Sequence, residues 1–263
     1  MSANARHLRS GSAALALTLS LTTAARAAEP VDVELVLAVD VSLSMSAEEL
    51  EIQRHGYAAA LTHESVLRAI AGGAYGKIAV TYVEWAGTHW QRVVVPWTVI
   101  AALLLGEGLH MLGSSRADLF AESSFQGTRR VIDISGDGPN NQGAPVAGVR
   151  DEVVGEGIVI NGLPLMTRAG FSSGYDIGDL DRYYSDCVIG GPGAFMIPVN
   201  DWTQFPEAVR RKLVLELAGQ APPTKAGEAA GRPPVVLAQG TVPADCMVGE
   251  KMWRDRNWQR DSR

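Results

Sequence analysis

Short apolar runs alternate along the chain with longer segments in which apolar residues recur at helical spacing. Runs rich in β-branched residues are typical of strands in a parallel sheet, because such strands are covered on both faces. The predicted strands are Val33–Val39, Lys77–Trp85, Trp90–Trp97, Arg130–Ser135, Ile158–Leu163 and Ala194–Val199. Only residues 86–89 separate the second strand from the third, which predicts a hairpin.

The segments between these strands have helical features. Helices are predicted at Ala47–Thr62, Pro145–Glu156 and Asp201–Leu217, and Val99–Ser123 has a helical composition. Ser46 and Glu49 form a capping-box pair at the start of the first helix. The alternation of strands and helices predicts an α/β fold with a doubly wound, mainly parallel sheet, to which the hairpin adds one antiparallel edge strand.

The first 27 residues have the pattern of a secretory signal peptide. Arg6 and Arg9 precede an apolar run that ends in Ala25-Arg26-Ala27, a small-residue cleavage pattern. The run is shorter than the ~20 residues needed to span a bilayer, and no second run is long enough. We therefore expect a periplasmic or secreted protein with no membrane span after cleavage.

Composition divides the rest of the chain and excludes one class of partner. Residues 28–219 are predicted to form the α/β domain, 220–242 a linker of Pro, Gly and Ala, and 243–263 a charged tail. Cleavage removes three arginines and no acidic residue, so the formal net charge changes from −6 to −9. An acidic balance of this size argues against nucleic-acid binding, which rewards clusters of Lys and Arg.

Two polar loops follow predicted strands and carry the candidate chemistry. The first, after Val39, contains Asp40, Ser42 and Ser44; the second, after Ser135, contains Asp137. Ligands of doubly wound sheets bind beyond the carboxyl ends of the strands, so these side chains are expected to converge. Their oxygen atoms suit a hard cation such as Mg²⁺ or Mn²⁺. Helix capping by Ser44 or Ser46 is the alternative explanation of the serines.

These loops resemble the metal-ion-dependent adhesion site of von Willebrand factor A domains. The chain resembles more closely a family of exported bacterial proteins of unknown function with that fold. The stretches that carry the resemblance are Val36–Ser44, Arg129–Asn141, Ile160–Pro164, Val188–Phe195 and Phe205–Leu213.

The resemblance implies Ser42 and Ser44 as direct ligands, with Asp40 and Asp137 reaching the ion directly or through water. It also implies a threonine from an intervening loop, where this sequence lacks the expected Gly-Thr. Thr98 is the best substitute, either opening the helix-like run or ending the strand, and Ser114 and Ser115 are poorer candidates.

The function that these features favour is divalent-cation-dependent binding of a protein partner that supplies an Asp or Glu to the ion. An enzyme is not expected, because no histidine is placed by a motif beside Ser42, and Ser42 itself occupies the position of the second acid in the Asp-x-Asp of aspartate-nucleophile phosphatases. Two alternatives stay open, a structural envelope protein with a degenerate site and a metal-dependent hydrolase. Cys187 and Cys246 are predicted to pair in an oxidising compartment and to anchor the tail.

Overall fold

The computed structural model describes residues 28–101, 120, 123–167, 177–219, 235–237 and 244–261. The predicted signal peptide, most of the predicted linker, and Ser114 and Ser115 lie outside these residues. Among the described helices, none combines the length and the apolar character needed to cross a membrane.

Within the described residues, seven strands form one sheet in the order β3-β2-β1-β4-β5-β6-β7. Their bounds are β1 Glu29–Asp40, β2 Lys77–Trp85, β3 Gln91–Ala101, β4 Phe125–Gly136, β5 Ile158–Pro164, β6 Phe195–Met196 and β7 Val236–Leu237. The five central strands, which are β2, β1, β4, β5 and β6 in sheet order, are parallel to one another. The two outer strands, β3 and β7, are antiparallel to their neighbours. The predicted fold class is confirmed. The antiparallel edge strand β7 was not predicted and lies in the segment interpreted as a linker.

Helices cover both faces of this sheet. They are α1 Ala47–Leu61, α2 Glu64–Ala71, α3 Val146–Gly155, α4 Leu180–Tyr183, α5 Phe205–Ala218 and α6 Val248–Asp261, with a π-helical turn at Tyr184–Val188 and a 3₁₀ turn at Trp202–Gln204. Helices α1, α2 and α5 pack on the main core, to which Tyr57, Val66 and Phe205 contribute. A smaller cluster forms around α4 and the π-helical turn.

Several element bounds differ from the sequence-based predictions. Strand β3 continues to Ala101, so residues 99–101 are not helical as predicted. The predicted strand Ala194–Val199 is reduced to the two residues of β6, although the backbone N–H groups of Ile197 and Val199 still donate to carbonyls of β5. Helices α2 and α4 and the π-helical turn were not predicted.

The C-terminal segment is tied to the domain by a disulfide between Cys187 and Cys246, the two cysteines that the sequence analysis paired. Their Cα atoms are 5.4 Å apart. Cys187 belongs to the π-helical turn, and Cys246 lies two residues before α6. The tail is therefore a helix joined covalently to the smaller core.

A buried ion cluster lies between β4 and α5. The Nζ atom of Lys212 is 2.6 Å from Oδ1 of Asp133 and 2.5 Å from Oε1 of Glu216, and all three side chains are almost fully buried. Asp133 is a carboxylate inside a largely apolar strand, and its partner is Lys212. Asn161 donates from Nδ2 to Glu216 (2.8 Å), which extends the cluster to β5.

Candidate metal site

The two predicted loops leave the same edge of the sheet because β1 and β4 are adjacent parallel strands. Val39 is paired with Ser135 in the register of these strands. Asp40 therefore lies one residue beyond the paired residues Val39 and Ser135, and Asp137 lies two residues beyond them. The convergence expected from the sequence is found in the structure.

A continuous set of hydrogen bonds joins the four predicted side chains. The backbone N–H of Ser42 donates to Oδ1 of Asp40 at 2.8 Å. The hydroxyl oxygens of Ser42 and Ser44 are 2.8 Å apart, and the Ser44 hydroxyl donates to Oδ1 of Asp137 at 2.9 Å. Two carboxylates and two hydroxyls thus line one small region at the carboxyl edge of the sheet.

Asp40 carries its carboxylate in an unfavourable electrostatic environment. Burial, and then the negative charge of Asp137, raise the pKa of Asp40 to about 7, although N–H bonds from Ser42 and Asp137 oppose the shift. The Asp40 residue is only 4% exposed. A cation placed between the two carboxylates would relieve both the desolvation and the repulsion.

Gly136 allows the Asp40 carboxylate and a buried tyrosine to approach the same point of the backbone. A Cβ atom at position 136 would lie 3.0 Å from the Tyr184 hydroxyl and 3.1 Å from Oδ2 of Asp40. The Tyr184 hydroxyl donates to the carbonyl of Gly136 at 3.3 Å. Burial, with the charges of Asp40 and Asp137, raises the pKa of Tyr184 well above its ordinary value, so the hydroxyl stays protonated.

The first loop is anchored at the start of α1 by a capping box. Ser46 accepts from the backbone N–H of Glu49 and donates its own N–H to that carboxylate. Glu49 also accepts from the indole N–H of Trp202 at 2.8 Å, and Gln53 donates to the carbonyl of Asp40 at 3.2 Å. The capping role thus belongs to Ser46, and Ser44 bonds to Asp137 instead.

Thr98 does not join these residues, and its suggested role as a ligand is wrong. It is paired with Val80, which is level with Leu35, five residues before Asp40. At about 3.3 Å per residue this places Thr98 roughly 16 Å from the edge of the sheet. Its hydroxyl donates to the carbonyl of Pro96 at 2.8 Å. The hairpin is antiparallel, so β3 runs away from the site.

The tip of the β2–β3 hairpin is a neighbour of the second loop that sequence reasoning missed. A Cβ atom at Gly143 would lie 2.5 Å from Cγ2 of Thr88, and one at Gly87 would lie 2.8 Å from Oε1 of Gln142. Both glycines have a positive φ, which favours glycine. The sequence hints at this contact only by placing a glycine, Gly87 or Gly143, in each of the two turns.

The donor set fits a hard divalent cation that keeps several of its waters. Oxygen is the only donor element at the site, and Mg²⁺ is usually bound through one or two carboxylates. No group of three or more His, Cys, Asp and Glu side chains suited to a metal occurs in the described part of the chain. The side chains placed to hold a cation at this edge are the carboxylates of Asp40 and Asp137 and the hydroxyls of Ser42 and Ser44.

Similarity to solved structures is low in sequence and partial in coverage. The chain is similar to proximal thread matrix protein 1 from the mussel byssus, with 12% identity and a TM-score of 0.40 over 72% of this chain and 48% of that one. It is also similar to the pilus adhesin SpaC from Lactobacillus rhamnosus GG, with 12% identity and a TM-score of 0.45 over 71% and 31% of the two chains. For the ArnB paralog VWA2 from Sulfolobus acidocaldarius, the identity is 13% and the TM-score 0.38, over 68% and 44%. The chain thus spans less than half the length of each.

The sequence comparisons identify the family. No curated protein matches the chain. A family model described as "Protein of unknown function (DUF1194)" matches residues 30–104 and 111–221. Because these two stretches take in most of the chain, the protein belongs to the DUF1194 family.

Proposed function

We propose that the protein is an exported domain that binds a protein partner through a divalent cation, Mg²⁺ or Mn²⁺. The cation is held by Asp40, Ser42, Ser44 and Asp137, and the partner supplies a carboxylate from an Asp or Glu. The proposal includes export through the N-terminal signal peptide and a binding role rather than an enzymatic one.

The observation that carries this proposal is the hydrogen-bonded set from Asp40 through Ser42 and Ser44 to Asp137. The four groups come from two loops 93 residues apart in sequence, and they meet at the sheet edge where ligands bind in doubly wound folds. The buried Asp40 and neighbouring Asp137 carry charge that a cation would neutralise.

When bound, the cation supplies a Lewis-acidic link between these oxygens and the carboxylate of another protein. The chain's own residues orient that link. Gln53 and the capping box fix the first loop, and the N–H of Ser42 holds one oxygen of Asp40. Ser42 and Ser44 would hold the ion through their hydroxyls, and Asp40 and Asp137 directly or through water, which would leave room for the partner's carboxylate.

Leu43 supports a partner-binding role for this surface. It lies between the two serines of the first loop, and its side chain is fully exposed. An exposed leucine beside a cation site offers an apolar contact next to the proposed ionic one.

Metal binding by the signal-free chain tests the proposal directly. Thermal melting and calorimetry with Mg²⁺ and Mn²⁺ should show stabilisation of about 2.7 kcal/mol when the ion is in ~100-fold excess over Kd. The variant Asp40→Ala should lose this stabilisation because it removes the buried carboxylate. The variant Glu51→Ala, which changes an exposed carboxylate of α1, should keep it.

A failure of the wild-type chain to bind either cation would overturn the proposal. An equal response from Asp40→Ala and the wild type would assign the binding to another place and overturn it as well. Chelator-sensitive binding of a purified protein, lost when that protein's acidic residue is changed, would support the partner half of the proposal.

A further inference from the structure

The loop that carries Asp137 is held on two sides by elements from the C-terminal third of the chain. On the inner side, the hydroxyl of Tyr183 accepts from the backbone N–H of Asn140 at 3.0 Å, and the hydroxyl of Tyr184 donates to the carbonyl of Gly136. Both tyrosines are almost fully buried. The backbone is thus bonded one residue before Asp137 and three residues after it.

On the outer side, the first turn of α6 packs directly on the loop. A Cβ atom at Gly249 would lie 2.1 Å from the carbonyl oxygen of Asn140, so the helix backbone approaches the loop backbone more closely than any other residue would allow. The next residue, Glu250, accepts from Nδ2 of Asn140 at 2.7 Å. The same Nδ2 also donates to the carbonyl of Ala144, which closes the loop on itself.

The two sides are joined to each other. Cys187, in the turn that begins with Tyr184, is bonded to Cys246 at the start of the outer segment. The backbone N–H of Ala244 donates to Oδ2 of Asp186 at 2.7 Å, one residue from the disulfide. The inner tyrosines and the outer helix therefore form one covalently closed clamp around the Asp137 loop.

We propose that this clamp, made of Tyr183, Tyr184, the disulfide, Gly249 and Glu250, is a working part of the cation site. Glu250 is a positioning residue: it acts through Asn140 to hold Asp137 in the conformation that meets Ser44. The inference rests on the proposed function and adds that cation affinity depends on α6. Groups that orient ligands in this indirect way typically change metal affinity by about 10–100-fold.

Calorimetric titration of the oxidised, signal-free chain with Mn²⁺ tests the clamp. The variant Glu250→Ala should weaken Mn²⁺ binding by about tenfold or more, and Glu250→Gln should restore it, because its amide oxygen still accepts from Asn140. Gly249→Ala should also weaken binding by forcing α6 away from the loop. Lys251→Ala is the matched control on the same helix: it breaks an exposed ion pair with Asp245 and should leave the affinity unchanged.

Amide hydrogen exchange in chelator provides a second readout that does not depend on the ion. The amide of Asn140 should exchange faster in Glu250→Ala than in the wild type, whereas the amides of β1 should be unaffected. Unchanged affinity together with unchanged exchange would overturn the clamp and leave the proposed function standing. If the wild type binds no Mn²⁺, the proposed function fails, and so does the claim that the clamp serves an ion.

Discussion

Gly136 lies where one added methyl group would disturb the candidate site. Its missing Cβ leaves space that the Tyr184 hydroxyl and Oδ2 of Asp40 approach to about 3 Å. We expect Gly136→Ala to displace Asp40 and to weaken Mn²⁺ binding by about tenfold, as changes around metal ligands commonly do. Calorimetric titration measures this effect.

Gly148→Ala is the control for that substitution. Gly148 lies inside α3, and a Cβ atom there would meet nothing within 4 Å. Replacing it with alanine should leave ion affinity unchanged and raise stability by up to about 1 kcal/mol, since alanine favours the helix. Equal Mn²⁺ affinity in the two alanine variants would contradict the role given to Gly136.

The residues of the site differ in how far the sequence predicted them. Asp40, Ser42, Ser44 and Asp137 were predicted to converge because the loops that carry them directly follow apolar strands, and the ends of parallel strands meet at one edge. Tyr184 was not predicted, since its role depends on a π-helical turn that brings a distant hydroxyl under Gly136. No spacing pattern indicates such a contact.

At the scale of elements, the register of β3 determines where Thr98 lies relative to the candidate site. The strand runs away from the site, so Thr98 lies far from the sheet edge that carries Asp40. The Thr98 hydroxyl donates to the carbonyl of Pro96 instead. We expect Thr98→Val, which replaces the hydroxyl with a methyl group, to leave the Kd for Mn²⁺ unchanged. Calorimetric titration measures this Kd beside that of Ser44→Ala, which should bind Mn²⁺ more weakly. Weaker Mn²⁺ binding by Thr98→Val would make Thr98 a candidate ligand again.

Elements with a local stop or start signal were predicted well. Helix α1 begins at Ala47 because Ser46 and Glu49 form the capping box that their spacing predicted. Strand β6 was predicted too long because its pairing depends on β5 and β7, which local composition does not report. The predicted end of β3 was wrong for the same reason, since the last residues of this strand pair with the start of β2.

At the scale of the whole molecule, the buried cluster of Asp133, Lys212 and Glu216 should make stability depend on pH. Burial is the main cause that raises the pKa of Asp133 to about 7, with Glu216 adding to the shift and Lys212 opposing it. The folded chain then binds more protons than the unfolded chain between about pH 4 and 7. The contribution of Asp133 to the free energy of unfolding should fall as the pH rises through this window and level off above it.

Urea unfolding in chelator at several pH values tests this expectation. Asp133→Asn cannot ionise, so the difference in unfolding free energy between wild type and variant should change between pH 5 and 7 and stay constant above pH 8. Asp40 titrates equally in both proteins and cancels in that difference. Parallel curves at all pH values would show that Asp133 keeps one protonation state.

The whole-molecule arrangement was predicted in outline from the sequence. The alternation of strands and helices indicated the doubly wound sheet, and the two cysteines indicated that a disulfide anchors the tail. The docking of α6 on the Asp137 loop was not predictable, because it depends on Gly249 permitting a backbone approach that only the folded chain displays.

The two sheet edges have a consequence for how the protein assembles. Within the described residues, one edge is β7, which has two residues, and the other is β3, which carries Pro96 and an irregular register against β2. Long, regular edges recruit strands from other chains, whereas short edges and prolines discourage this pairing. These two edges of the described sheet therefore disfavour open-ended polymerisation by strand pairing between copies of the chain.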